Sequence, residues 1–416
     1  MMRKVFYVIF VFPVYQGCIE PFVAETFDFE GALVVDARLT NEEKQHRVLL
    51  SRARPFEEEG TVPERDAVVR IVEGSGTNYA FEEVAPGQYL SSAIFGAKEN
   101  ESYQLRITTS NGASYTSNTE TMPENVPIAD LEIQREVNDL GEDGIAVFVD
   151  NSSFGVQPRY FRYDYEENFK IIAPNWDPFT FKVIDSIACS DGDAFQVDIE
   201  PKGSTDGRIC YGRNASTEIL LASTSNLENN SITDFRVRFV NRDNYALTHR
   251  YSILVHQFSQ SVDAHSYYQS LEAFSVSESI FSEIQPGFLA GNIVSDRDSN
   301  ENVIGYFETA AVSSKRIFFN YEDLFPDEEL PEYPINCRTI GNPQLIPEGY
   351  HCTQPPDSVC DGNCDSPLIG QIQTGTIVYA GVAEPADFAA PYYTLPRTCG
   401  DCTVLGSKVK PDFWID

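Results

Sequence analysis

The sequence predicts a mainly β protein, and three observations carry that expectation. Between residues 26 and 122, runs such as "ALVVDARLT", "HRVLLSRAR", "AVVRIVEG" and "SYQLRITTS" alternate apolar with polar residues. Turn-forming clusters separate these runs at the spacing of a sandwich. Aromatics are abundant, with 28 Phe and 21 Tyr against 3 Met, a bias that favours strands over helices.

In "SYQLRITTS", Tyr103, Leu105 and Ile107 are expected to face a core while Gln104, Arg106 and Thr108 face water, because neighbouring strand side chains point to opposite sides. Asn111 and Gly112 then supply the positive φ angles of a tight hairpin turn. "TMPENVPIADLE", residues 121–132, carries two prolines and several acids and reads as the boundary of this N-terminal unit. Strand patterns resume in "GIAVFVD", "PRYFRYDYE", "DFRVRFVNRD" and "RYSILVHQF", so residues 123–334 are expected to form a second, larger β-rich domain. Within it Phe235, Val237 and Phe239 alternate with outward Arg236 and Arg238. One helix is expected over "VDAHSYYQSLEAFSVS", where Tyr267, Leu271 and Phe274, with Tyr268 beside them, give an aromatic face suited to a lid over a sheet. The strand-like halves around "SDRDSNEN" predict a long hairpin. Residues 335–416, rich in Pro, Gly and Cys, are expected to be an irregular, cross-linked segment packed on the second domain.

The chain begins with basic Arg3 and Lys4, an apolar run from Val5 to Val14, and Gly17 before Cys18. That order is a secretory signal, and the run is about half of the roughly 20 residues a transmembrane helix needs. "YQGC" resembles a bacterial lipobox, with Tyr15 where Leu is usual. Residues 1–17 are therefore expected to be removed, Cys18 to carry a lipid, and residues 18–25 to tether the folded body to a membrane. The formal net charge is −33, which disfavours nucleic acid as a partner and predicts a well-hydrated exterior.

Nine cysteines are present. With Cys18 lipidated, Cys189, Cys210, Cys337, Cys352, Cys360, Cys364, Cys399 and Cys402 form an even set in an oxidising compartment, which favours disulfides. Cys189 and Cys210 stand alone in the middle domain and are expected to bridge locally, while the six late cysteines allow many connectivities. A zinc site on Cys360, Cys364, Cys399 and Cys402 is the alternative. A redox dithiol at Cys399 and Cys402 would want a thioredoxin-like βαβ context.

"SDRDSNEN" offers Asp296, Asp298 and Asn300 at alternate calcium-ligand positions, but Glu301 stands where an EF-hand loop needs Gly and Phe307 where it needs Glu. A solvated turn is expected there. No H-E-x-x-H, G-x-S-x-G or glycine-rich phosphate loop occurs. No catalytic, cofactor or metal residue is assigned, and a non-enzymatic role is expected. Trp176 in "IIAPNWDPF" has a ring that can stack on a sugar or anchor a loop, with burial the favoured outcome. Phe413 and Trp414 in "KVKPDFW" are expected to dock the tail on a domain.

As a set, "ALVVDARLTNEEKQHRVLLSRARPF", "DAVVRIVEGSGTNYAFEEVAPGQYLSS", "GNIVSDRDSNENVIGYFETAAVSSKRIFF" and "CGDCTVLGSKVKPDFW" resemble a family of Bacteroidota outer-membrane lipoproteins of unassigned function, over nearly all of the chain after Cys18. "GTNYAFEEVAPGQY" is similar to immunoglobulin-like and carboxypeptidase-regulatory-like sandwiches, a likeness of fold that does not set function. The family resemblance implies a surface-exposed lipoprotein, commonly encoded beside a TonB-dependent receptor. With the lipobox, the acidic exterior and the missing catalytic motifs, it leads to the expectation of an accessory partner of that receptor or of another outer-membrane barrel. It brings no catalytic or ligand-binding residues to transfer. A surface protein that captures a glycan, peptide or metal chelate is the second expectation, and an envelope hydrolase the third.

Overall fold

The computed structural model describes residues 31–416 except 55–59, 61, 152–158, 187–194, 228–229, 277–288, 353–359 and 363. The expected signal, Cys18, the expected tether and Cys189 lie outside the described residues. The described residues are mainly β.

The alternating N-terminal runs become β1 (Leu33–Thr40), β2 (Arg47–Arg52), β3 (Val62–Pro63), β4 (Val68–Glu73), β5 (Asn78–Ala85), β6 (Gln88–Ser91), β7 (Ser102–Thr108), β8 (Ser114–Ser117) and β9 (Glu120–Thr121). Tyr103, Leu105 and Ile107 of β7 are buried with Leu33, Val35 and Leu39 of β1, while Arg106 is exposed. At the β7–β8 turn Gly112 takes a φ of +83°. Asn111 stays out of the left-handed region and instead uses its side-chain oxygen to accept from the Ala113 amide.

The second body contains β10 (Ile128–Val137), β11 (Asp143–Asn151), β12 (Tyr160–Ile172), the hairpin β13 (Phe179–Asp185) and β14 (Gln196–Pro201), β15 (Ile209–Ala215), β16 (Leu220–Ser223), β17 (Phe235–Asn241) and β18 (Tyr251–Gln260). The sheet β10-β11-β17 packs on β12 and β18, with Val147, Val149, Phe161, Tyr163, Ile253 and Val255 in one core. Residues 128–132, expected to be linker, are already β10, because Val126 and Ile128 are buried in this core. A bulge in the β11–β17 register also breaks the expected alternation of β17. Val237 and Val240 are buried in place of Phe239, and Arg238 reaches the buried Glu167 at 2.6 Å.

Helix α1 (Val262–Val276) forms where the aromatic spacing predicts, capped by the Ser261 hydroxyl accepting from the Ala264 amide. Beyond it lie β19 (Ile293–Ser295) and the 17-residue β20 (Val303–Phe319). These two do not form the expected hairpin. β19 pairs with β8, whereas β20 runs parallel to β1 from Val303 to Ala310 and antiparallel to β18 from Ala311 to Phe319. One strand thus welds both bodies, and at roughly 3.3 Å per residue it spans about 55 Å. The first core is completed by Ile293, Val303, Phe307 and Ala311 from this late segment. Its seam is closed by the Asn292 amide, which donates to the Phe307 carbonyl at 2.9 Å and accepts from the Phe307 amide at 2.8 Å.

The final segment is more ordered than its composition suggests: β21 (Tyr350–Cys352), β22 (Cys360–Gly362), α2 (Pro367–Gln373), β23 (Ile377–Val382), β24 (Tyr392–Pro396) and α3 (Arg397–Gly400). Together with the β13–β14 hairpin it makes a small third core on Phe195, Leu345, Leu368 and Ile369. Phe181 meets Tyr379 and Tyr392 edge-on, and the Tyr392 hydroxyl donates to the Val197 carbonyl.

Candidate functional site

The outward faces of β1, β12, β18 and β20 form one continuous surface, and its centre is ionic. Glu308 of β20 is fully buried there. Its carboxylate accepts from Arg38 Nε at 2.9 Å, Arg162 Nη2 at 3.5 Å, the Tyr268 hydroxyl of α1 at 3.1 Å and the Gln260 amide. Asp164 receives the other arms of both arginines, Arg162 at 2.9 Å and Arg38 at 3.4 Å. Both guanidiniums also lie over the Phe258 ring, at 4.5 and 4.7 Å from its centroid. Burial by itself would raise the Glu308 carboxyl, yet Arg162, Arg38 and Gln260 outweigh it and hold the group below the usual glutamate range. Helix α1 therefore lies over the sheet as a lid, docked through a charged centre as well as through Tyr267 against Tyr306.

A second buried acid, Glu120, sits where β9 meets α1 and β20. It accepts from Tyr306 at 2.7 Å, Asn292 at 3.0 Å and Ser261 at 3.2 Å. Here burial prevails over these bonds and the carboxyl is raised. Glu167, the third, faces the second core and is held by Arg238 and the Tyr251 hydroxyl. These three acids, like the buried Glu73 that accepts from Ser75 and Lys98, are taken up by side chains of the chain itself.

Beside the lid the same surface opens into a cleft of about 640 Å³ between the two sandwiches. Its floor holds Arg38, Phe258 and Val312, and its walls Lys44, Asp164, Glu166 and His256. Lys44 pairs with Glu42, which also accepts from the Thr40 hydroxyl at 3.0 Å. His256 shares a hydrogen bond of 2.7 Å with Ser314, and burial lowers its basicity in spite of Glu166, Glu42 and Asp164 nearby.

The sequence alone picks out neither the ionic centre nor the cleft. Arg38, Arg162 and Glu308 occupy outward positions of three strands far apart in sequence, where a charge ordinarily meets water. The weak signal was that Glu308 falls inside the long apolar run "VIGYFETAAV".

The cysteines, by contrast, are where the sequence draws attention, but their pairing differs from expectation. Among the described residues three disulfides are present: Cys210–Cys402, Cys337–Cys399 and Cys360–Cys364. The local Cys189–Cys210 bridge is thereby overturned, since Cys210 on β15 is bonded to Cys402 of the final segment. Cys360, Cys364, Cys399 and Cys402 do not converge on one zinc site either, because Cys399 and Cys402 are bonded to different partners. Cys352 ends β21, and its side chain lies outside what is described. Trp176 is half-buried against the second core, donates to the Asp206 carbonyl, and has Lys202 and Arg208 over its ring. Trp414 is buried against Tyr211 and Phe318, and Phe413 lies under the Arg316 guanidinium. The "SDRDSNEN" loop is a turn, with Asp298 accepting from the Asn300 amide.

Among solved structures, the chain is similar to a DUF4785 family protein from Legionella pneumophila, at 10% identity and a TM-score of 0.18, covering 55% of this chain and 52% of that one. The chain thus spans about half the length of that structure. No curated protein matches it in sequence. The family described as a domain of unknown function, DUF4249, matches residues 19–316, including the strands of both sandwiches and the welding strand up to Arg316. The chain belongs to the DUF4249 family.

Proposed function

We propose that this protein is a non-enzymatic lipoprotein of the outer membrane, anchored through Cys18, that acts as a surface partner of a TonB-dependent receptor or another outer-membrane barrel. The observation that carries the reading is the order of signal, cysteine, short tether and welded body. Gly31, the first described residue, lies next to the Leu33–Val303 end of the β1–β20 pair. From that end β20 runs away towards the second sandwich and the disulfide-bonded third body. An anchor at Cys18 would leave those bodies to reach outward from the membrane.

Two further features support it. The net charge of −33 suits an exterior in water. The buried acids Glu308, Glu120 and Glu167 are engaged internally, which fits a structural use of these carboxylates. Co-purification tests the partner: after mild solubilisation, capture of the wild-type protein should bring down a barrel protein in stoichiometric yield. Recovery of the protein with no barrel above background contradicts the reading. Labelled fatty acid tests the anchor, which Cys18→Ser should abolish.

A further inference from the structure

The cleft between the sandwiches has a chemistry that the partner role does not use. We propose that it binds a small, uncharged, hydroxyl-rich ligand, in chemical class a short neutral oligosaccharide, held between Arg38, Lys44, Asp164, Glu166 and His256. The inference does not rest on the membrane partner.

Size and position come first. A volume of about 640 Å³ lies within the range of roughly 300–1,000 Å³ typical of pre-formed ligand sites, and such sites favour junctions between domains. The floor is rigid, because Arg38 is fixed by Glu308, Asp164 and the Phe258 ring before any ligand arrives. A polar group whose rotamer is already set loses little entropy on binding.

Charge decides the class. Arg38, Lys44 and Arg47 stand against Asp36, Glu42, Asp164 and Glu166, so an anion entering the cleft meets carboxylates and a cation meets bases. A hydroxyl suits the mixture, since it donates to a carboxylate and accepts from a guanidinium or ammonium at once. His256, whose basicity burial lowers, adds a further hydrogen-bonding nitrogen beside the one shared with Ser314. A peptide is less well served, because the apolar floor groups Phe258 and Val312 are themselves buried and offer no side-chain pocket. Recognition proceeds by hydrogen bonds without ring stacking: the guanidiniums lie over Phe258, and the Trp176 ring is taken by Lys202 and Arg208.

The test uses the full chain, purified in mild detergent and titrated by saturation-transfer NMR and calorimetry. The probes are neutral tri- and tetrasaccharides, with a sialylated trisaccharide and acidic and basic pentapeptides as charged comparators. Lys44→Ala and Glu166→Ala change half-exposed cleft residues and preserve the fold, and Lys182→Ala in the β13–β14 hairpin is the control. At least one neutral oligosaccharide should bind, each cleft variant should weaken it by about fivefold or more, and the control should leave it unchanged. Three results overturn the proposal: no neutral oligosaccharide bound, binding that survives both cleft variants, or tighter binding of a charged comparator.

Discussion

Glu308 and Glu120 are acids of one length, both buried on the same strand system, and their surroundings push them in opposite directions. Glu308 faces two guanidiniums, so its ionised form is favoured and its carboxyl is lowered. Replacing it by Gln leaves Arg38 and Arg162 short of counter-charge and should cost about 3–5 kcal/mol in urea unfolding. Glu120 meets only neutral donors, with Asp263 nearby, and is raised. Glu120→Gln keeps an oxygen for Tyr306 and Asn292 and should change stability by no more than about 1 kcal/mol. The pH dependence has opposite signs. Stabilisation by Glu308 is complete above the ordinary glutamate pKa of about 4.3 and drains away as pH falls through its lower folded value. The contribution of Glu120 is present below about 4.3 and is lost as pH rises through its raised folded value. Melting temperatures from pH 3 to 7 should therefore show the Glu308→Gln deficit shrinking towards acid, and Glu120→Gln gaining on wild type towards neutral pH. Curves parallel to wild type for both variants would refute these assignments.

β20 changes partner halfway along its length, and near its start one glycine lets it lie close against β1. Gly305 has a φ of +112°, and a Cβ there would lie 1.9 Å from the Val35 carbonyl oxygen of β1. Gly291 is just as constrained, since its Cβ would meet the Gly305 carbonyl. Gly305→Ala should destabilise the protein by at least about 2 kcal/mol and unpair β1 first, read as faster amide exchange at Val35 and Ala37. The disulfides tie other distant elements together. Non-reducing peptide mapping should recover Cys210 with Cys402 and Cys337 with Cys399, while a Cys189–Cys210 peptide would contradict the fold. Cys402→Ser opens a link across 192 residues, and its chain-entropy value is up to about 5 kcal/mol. Strands such as β7 were legible because one face is buried and the other wet, which writes a period of two into the residues. β20 was not: between Gly305 and Val312 both faces are covered, and nothing local marks that its two edges serve different sheets. The bulge that turns Arg238 inward and the pairing of Cys210 with Cys402 also depend on distant chain. Candidate-site legibility followed the same rule, good for Trp414 and the cysteine-rich closure, poor for Arg38 and Glu308.

The described residues form three packed bodies, two joined by a strand and the third fastened to the second by the Cys210–Cys402 disulfide. If the protein is anchored at Cys18 as proposed, a partner in the membrane plane and a ligand in the cleft would be engaged together, since the cleft lies between the sandwiches. Several apolar side chains are left in water on different bodies: Ile94 on the first, Leu140 at the β10–β11 turn, and Phe388, 91% exposed, on the third. Scattered exposed apolar residues are common, so these positions serve as probes of an interface rather than as evidence of one. Photo-crosslinking in intact cells, with a photoreactive residue placed in turn at Ile94, Leu140 and Phe388, tests the proposed partnership with an outer-membrane barrel most directly. At least one position is expected to give a light-dependent adduct with an outer-membrane barrel that disappears with Cys18→Ser. Adducts with no barrel from any position, in cells where the protein is folded and exported, would contradict it.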